Sequence, residues 1–273
     1  MGKIAFVFAG QGAQYPGMGQ ELAQCSPAAA EIFAKLDALR PGTSAQCFGG
    51  TDEELKETKN TQPCMFAVEL AAAAALEEGG LRADMAAGFS LGEIGALTST
   101  RAVDLETGFH LVCRRGELMQ AAAEEQPTAM AAVLKLSNEE VEQICAQFAQ
   151  VYPVNYNCPG QVSVACAKEQ LAPFSAAVKA AGGRALPLKV RGGFHSPFMA
   201  TAAQGFAQVL EECRVGQPEM PLYSNRTGAV YEGDPKPLLS QQIASPVRWE
   251  TIVRNMIAAG ADTFVGQDPV RPH

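Results

Sequence analysis

The segment Gly88-Phe89-Ser90-Leu91-Gly92 has the spacing G-x-S-x-G, the pattern of a nucleophile elbow. A serine on a sharp strand-to-helix turn presents its hydroxyl, and flanking glycines avoid collision with the neighbouring backbone. A helix that starts just after it aims N–H groups and its positive dipole end at a developing oxyanion. The chemistry this suggests is acyl transfer through a serine ester. Glu93 falls in the first turn of that helix, where a carboxylate complements the dipole, and helix support is its expected role.

A serine nucleophile needs a base, and the chain has three histidines, His110, His195 and His273. His110 lies in a helical run, Gly108-Phe109-His110-Leu111-Val112, and reads as structural; His273 is terminal. His195 sits in Gly192-Gly193-Phe194-His195-Ser196-Pro197, between an expected strand and an expected helix. Catalytic groups are commonly carried at such loop edges. By elimination, His195 is the base candidate.

These groups need a scaffold. Lys3–Phe8 is a short β-rich run ending in a glycine-rich loop, as expected of a parallel-sheet strand. Helices are expected at Gly19–Cys25, Ala28–Leu36, Asp52–Lys56 and from Gln62 to about Glu78, the last stopped by Gly79-Gly80. Ala83–Ala87 reads as a strand and Leu91 onward as a helix, an α/β alternation. From about Thr128 the order becomes strand (Met130–Leu136), capped helix (Ser137 to about Gln150), strands Tyr152–Asn157 and Gln161–Ala165, helix Ala172–Ala181 and strand Arg184–Val190. That βαββαβ order is ferredoxin-like. The expected fold is α/β: a hydrolase-like parallel-sheet core from residues 1–127 and 191–273, with a ferredoxin-like small subdomain at 128–190 inserted.

Composition narrows the function classes. The 273 residues are 47% hydrophobic and 18% charged, ordinary for a globular chain large enough to bury a sizeable core. A formal net charge of -8 argues against nucleic-acid binding. No apolar run is long enough to span a membrane. The N-terminal run stops at Gly10-Gln11-Gly12 without a cleavage motif, so a buried strand is expected rather than a signal peptide. Eight cysteines without a C-x-x-C pair read as free thiols of a cytoplasmic protein, packed as small hydrophobes. A monomer without metal or cofactor is expected.

Six segments occur in a fixed order: GQGAQ (10–14), GFSLGE (88–93), RRGELMQ (114–120), NYNCPGQ (155–161), GGFHSPFM (192–199) and QIASPVRW (242–249). With them the chain resembles the malonyl-CoA:acyl-carrier-protein transacylase family and related acyltransferase domains of fatty-acid and polyketide synthases. The resemblance runs from residue 2 to about residue 265. It implies that Ser90 is acylated and that His195 serves as general base and then general acid, oriented by the backbone carbonyl of Gln242. It implies an oxyanion hole from the N–H groups of Gln11 and Leu91. Arg115 would pair with the free carboxylate of a malonyl group, Asn155 and Asn157 would order the pocket, and Phe194 is similar to the residue of malonyl-selecting members.

The implied partner is acyl carrier protein, which is acidic. Lys179, Arg184, Lys189 and Arg191 are the candidate docking patch, with an ordinary solvated face as the equal alternative. Two features depart from the family. Phe89 stands where the family carries a histidine, which changes the bulk and polarity of the pocket mouth. The chain also ends Gly266-Gln267-Asp268-Pro269-Val270-Arg271-Pro272-His273 where the family continues into a glycine turn and a final helix. A coding sequence shifted by one base would restore a Gly-Lys-Thr-Leu ending, so a frameshift is the expectation there. Two other readings stay open at this point: a serine acyl hydrolase or thioesterase of the same architecture, and a weakly active scaffold.

Overall fold

The computed structural model describes residues 2–190 and 192–267. Among these residues, eight strands form two sheets. Strands β1 (Lys3–Phe8), β2 (Met85–Gly88), β7 (Leu222–Tyr223) and β8 (Ala261–Gly266) make a sheet in the order β7-β2-β1-β8, with every pairing parallel. Strands β3 (Thr128–Leu134), β4 (Val151–Cys158), β5 (Gln161–Ala167) and β6 (Arg184–Pro187) make the second, antiparallel sheet in the order β4-β5-β3-β6. This mixed α/β architecture is the expected class, and the strand order of the second sheet is that of a ferredoxin-like unit.

The large sheet sets the position of the elbow. Strand β2 is four small or flexible residues, Met85-Ala86-Ala87-Gly88, all buried, as a strand covered on both faces requires. Its register pairs Phe8 with Gly88, so β1 and β2 end at the same level. Phe89 N–H then donates to the Phe8 carbonyl at 2.9 Å. The loops after both strands therefore leave the sheet side by side at its carboxyl edge, where α/β sheets place ligand sites.

Two glycines are obligatory here. A Cβ on Gly88 would sit 1.9 Å from the Gly92 carbonyl oxygen, and one on Gly92 would sit 2.4 Å from the Ala9 carbonyl oxygen. Backbone cannot yield as a side-chain tip can, so the G-x-S-x-G spacing is a packing requirement as well as a chemical one.

Around this sheet lie the helices Thr58–Glu78, Gly92–Ser99, Leu105–Glu124 and Ala200–Glu212. The main core gathers Phe6, Phe8, Phe66, Leu91, Phe109 and Phe206 among others. A second core, with Val133, Val141, Val162, Phe174 and Val178, fills one face of the small sheet. The other face contributes Met130, Val154 and Ala165 to the main core, so both sheets are packed into one body.

Several boundaries differ from the sequence reading. The long helix starts at Thr58 rather than Gln62, and Pro63 lies inside it; the expectation had placed that proline in the first turn, where its missing N–H does least harm. The helix opened by the Ser137–Glu140 capping box ends at Cys145, short of Gln150, because Gln147 and Phe148 N–H groups tighten to carbonyls three residues back. Strand β6 stops at Pro187 rather than Val190, with one further bond to β3 from Leu188 N–H to the Met130 carbonyl. A helix at Thr43–Gly49 was not expected.

Candidate active site

Ser90 follows β2 directly, and its backbone has φ 56°, a left-handed conformation unusual for a residue with a side chain. Asn225 holds it there. The Ser90 N–H donates to Asn225 Oδ1 at 2.7 Å, and Asn225 Nδ2 donates to the Gly88 carbonyl at 2.6 Å. One amide thus brackets the turn from both sides. Asn225 lies just beyond β7, at the same carboxyl edge of the sheet.

His195 comes from the loop between β6 and the Ala200–Glu212 helix, with φ 61° and only 3% exposure. Its Nε2 lies 2.7 Å from Ser90 Oγ, and its Nδ1 lies 3.0 Å from the Gln242 carbonyl oxygen. A carbonyl only accepts, so Nδ1 carries the proton and Nε2 is left as the acceptor for the serine hydroxyl. Burial, and then the positive charge of Arg115, push the imidazole down to about 4, against a smaller upward effect of the Gln242 and Ser245 carbonyls. At neutral pH His195 is a neutral base aimed at Ser90.

Arg115 projects from the Leu105–Glu124 helix and is 1% exposed. Its Nη1 donates to Gln62 Oε1 at 2.9 Å, and its Nη2 donates to Gln242 Oε1 at 2.7 Å and to Ser90 Oγ at 3.2 Å. Its Nε–H has no partner among the described residues. Burial lowers the guanidinium to about 10, opposed by the nearby Glu93 carboxylate, so it stays positive throughout the physiological range. Its sequence neighbour Arg114 points to solvent and pairs with Glu117.

Gln242 does more than the sequence reading assigned to it. Besides its carbonyl on His195 and its Oε1 on Arg115, its Nε2 donates to the Ser90 carbonyl at 2.7 Å and to Glu93 Oε2 at 2.8 Å. Glu93 is itself fully buried and accepts from the Asn225 N–H at 2.9 Å and the Tyr231 hydroxyl at 2.6 Å. It is therefore a member of a buried network and not, as expected, a residue that only complements the helix dipole. Burial raises it to about 7, against the pull of its three donors and of Arg115.

A narrow pocket of about 100 Å³ brings Gln11, Phe89, Ser90, Leu91, Asn155, Phe194 and His195 together with Gln62, Met119, Met130, Leu188 and Val190. Leu91 opens the Gly92–Ser99 helix with right-handed backbone, so the positive end of that helix faces the pocket. Phe89 packs edge-to-face on Trp249 with centroids 5.5 Å apart, and its ring lies so near Gly10 that a Cβ there would meet it at 2.7 Å. The phenylalanine thus braces the loop that carries Gln11. Asn155 Oδ1 is buried without a partner among the described residues. Asn157 is outside the pocket, its Nδ2 3.4 Å from Ser163 Oγ.

The segment after Gln242 ties the two sheets together. Val247 N–H donates to the Val154 carbonyl, Tyr156 N–H donates to the Val247 carbonyl, and Arg248 N–H donates to the Asn225 carbonyl. Lys179, Arg184 and Lys189 are exposed, with Leu188 at the pocket mouth between Pro187 and Lys189. Arg191, His273 and the tail from Asp268 lie outside the described residues. His110 is exposed. All eight cysteines are free thiols. Among the described residues no group of three His, Cys, Asp or Glu side chains could hold a metal ion, and no helix is long and apolar enough to cross a membrane.

The sequence reading did not find Asn225, Gln62, Tyr231 or the side-chain role of Gln242. The one available signal was that Asn225 follows a short strand next to β2, at the edge where ligand sites gather.

The family model described as acyl transferase domain matches residues 5–269. The chain belongs to this acyl transferase family. It is 36% identical over 277 aligned positions to the malonyl CoA-acyl carrier protein transacylase of Bacillus subtilis, covering 98% of this chain and 87% of the relative. The solved malonyl CoA-acyl carrier protein transacylase from Clostridium perfringens superposes with a TM-score of 0.95 at 33% identity, over 98% of this chain and 87% of that one. A malonyl-transacylase solved in complex with a type II PKS acyl-carrier protein superposes with a TM-score of 0.94 at 36% identity, over 98% and 90% of the two chains.

Proposed function

We propose that this acyl transferase moves a malonyl group from malonyl-CoA to the phosphopantetheine thiol of an acyl carrier protein, through a malonyl ester on Ser90. The observation that carries the reading is Arg115: a buried guanidinium whose Nη2 lies 3.2 Å from Ser90 Oγ. A cation beside the nucleophile has a use when the acyl group brings its own carboxylate, and a charge-assisted, forked contact suits it. A hydrolase of uncharged esters has no such need.

The steps follow from the geometry. His195 Nε2 takes the proton of Ser90 Oγ as the oxygen attacks the thioester carbonyl. Charge developing on the carbonyl oxygen falls to the backbone N–H groups of Leu91 and Gln11. The C–S bond breaks, and the departing CoA sulfur takes the proton from His195 Nε2, leaving malonyl-serine. The carrier thiol then enters, His195 takes its proton, the sulfur displaces Ser90, and the serine oxygen recovers the proton. Exclusion of water from the narrow pocket keeps the ester from hydrolysing.

We assign no cofactor to this reaction. Docking of the acidic carrier falls to Lys179, Arg184, Lys189 and Arg191, of which Lys189 adjoins the pocket-lining Leu188 and Val190 in sequence. Free thiols throughout suit a cytoplasmic monomer. Incubation with malonyl-CoA followed by intact mass measurement tests the reading. The wild type should hold one malonyl group that chases onto added acyl carrier protein, and Ser90→Ala should hold none. Rapid release of free malonate, or no adduct on the wild type, would sink it.

A further inference from the structure

We propose that Glu93 is a positioning residue for Arg115, acting through the side-chain amide of Gln242, and that it thereby sets the preference for carboxylated acyl groups. This rests on Arg115 as the receiver of the acyl carboxylate. Glu93 does not line the pocket. Its effect is relayed by hydrogen-bond direction.

Glu93 Oε1 accepts from Asn225 N–H and from the Tyr231 hydroxyl, and Oε2 accepts from Gln242 Nε2. The second Nε2 hydrogen of Gln242 goes to the Ser90 carbonyl. Only Oε1 of that amide remains to face Arg115 Nη2, at 2.7 Å. A primary amide has a donor end and an acceptor end, and turning it over exchanges them. The turned amide would set N–H against the guanidinium N–H, and its oxygen against both the Glu93 carboxylate and the Ser90 carbonyl. An ionised carboxylate accepts only, so above about pH 7, where Glu93 is ionised, it excludes that arrangement. In a site this buried, each mismatched pair leaves an uncompensated polar group.

A glutamine at this position cannot repeat the pattern. Its oxygen can serve the Asn225 N–H and Tyr231, but its NH2 then meets the NH2 of Gln242. Turned over, it serves Gln242 but sets its NH2 against the Asn225 N–H. In the first case the Gln242 amide loses its fixed sense, and Arg115 loses a defined acceptor beside Ser90; in the second, two buried donors oppose each other at the Asn225 N–H instead. Glu93 is also the negative charge that Arg115 senses across one intervening amide.

The test compares Ser90 acylation by malonyl-CoA and by acetyl-CoA in wild type, Glu93→Gln, Gln242→Leu and the double variant, with unfolding melts on each. Glu93→Gln should melt cooperatively and lose about tenfold in malonyl-over-acetyl preference, chiefly through KM for malonyl-CoA. Gln242→Leu retains the backbone carbonyl for His195 and should show the same selective loss. The double variant should lose no more preference than the larger single variant, because both changes break one relay. A folded Glu93→Gln protein with unchanged preference, or a double variant showing the product of both losses, overturns the proposal.

Should Glu93→Gln not fold, Glu93→Asp takes its place under the same two outcomes, since it keeps the charge but withdraws it from Gln242 by one methylene. A wild type that forms no malonyl-serine overturns the functional reading, and this inference with it. A wild type that does, combined with unchanged preference in the variants, overturns this inference alone.

Discussion

His195 Nε2 stands 2.7 Å from Ser90 Oγ while its other nitrogen is held by the Gln242 carbonyl, so among the described residues no carboxylate takes a ring nitrogen. Without one, burial and Arg115 lower its proton affinity to about 4 from an ordinary 6.5. A base is competent only when neutral, so Ser90 acylation by acetyl-CoA should stay level from pH 8 down to about 5 and fall as the pH approaches 4. The pH profile of kcat/KM reports this group in the free enzyme. A fall centred near 6.5 would contradict the geometry.

Arg115→Ala should abolish the preference for malonyl while acetyl transfer persists. A charge-assisted contact contributes about 1.5–3 kcal/mol, or roughly 10- to 100-fold in selectivity. Competition between malonyl-CoA and acetyl-CoA, read by intact mass of the acyl-enzyme, measures the ratio directly.

Glu93 makes stability depend on pH in an unusual direction. Its carboxyl is raised from 4.5 to about 7 in the folded protein, so between those values the folded chain binds more protons than the unfolded one. The contribution is fully present below pH 4.5 and is lost as pH rises through about 7. Relative to Glu93→Gln, the wild type should therefore gain stability as pH falls from 7 to 4.5, by at most about 1.4 kcal/mol per pH unit. Denaturant melts of both proteins across this range decide it; a constant difference would show that Glu93 titrates alike in both states.

Gly92→Ala should fail to fold or lose most of its stability. The added Cβ would meet the Ala9 and Phe8 carbonyl oxygens at 2.4 and 2.5 Å, both backbone atoms of the neighbouring strand end. Soluble yield and melting temperature are the readouts, with Gly233→Ala as the comparison: its Cβ would meet nothing within 4 Å, although its φ of 71° still carries some strain.

Phe89 and Trp249 should be energetically coupled. Edge-to-face pairs contribute about 0.5–1.5 kcal/mol beyond area burial, and a double-mutant cycle to leucine at both positions isolates that amount. Additive losses would mean that the ring contact contributes only its buried area.

Much of the site was legible because its reacting groups have narrow chemical requirements. A nucleophile between close-packed glycines and a histidine on a loop edge are readable from residue type and spacing. The network behind them is not. Asn225 lies 135 residues from the Ser90 it clamps, and Gln62 lies 53 residues from Arg115. Asparagine and glutamine suit so many positions that only three-dimensional adjacency singles them out. Glu93 was misread for a related reason: a glutamate in a first helical turn already has an adequate local explanation, and burial of that turn cannot be seen from local pattern. In the fold, the α/β alternation and the ferredoxin-like order were visible from period and capping. Helix ends were less so, since Pro63 reads as a start signal and tertiary packing extends the helix past it.

Ser90 has left-handed backbone at φ 56°, where a side chain costs about 1–2 kcal/mol and glycine costs almost nothing. By backbone conformation alone, that position would be better served by glycine. Random change filtered only for a soluble, well-folded chain would erode the nucleophile early, and the resulting protein would look healthy by every structural measure. What holds a serine at this turn is the reaction, so a folded relative with glycine at this turn is one released from acyl transfer.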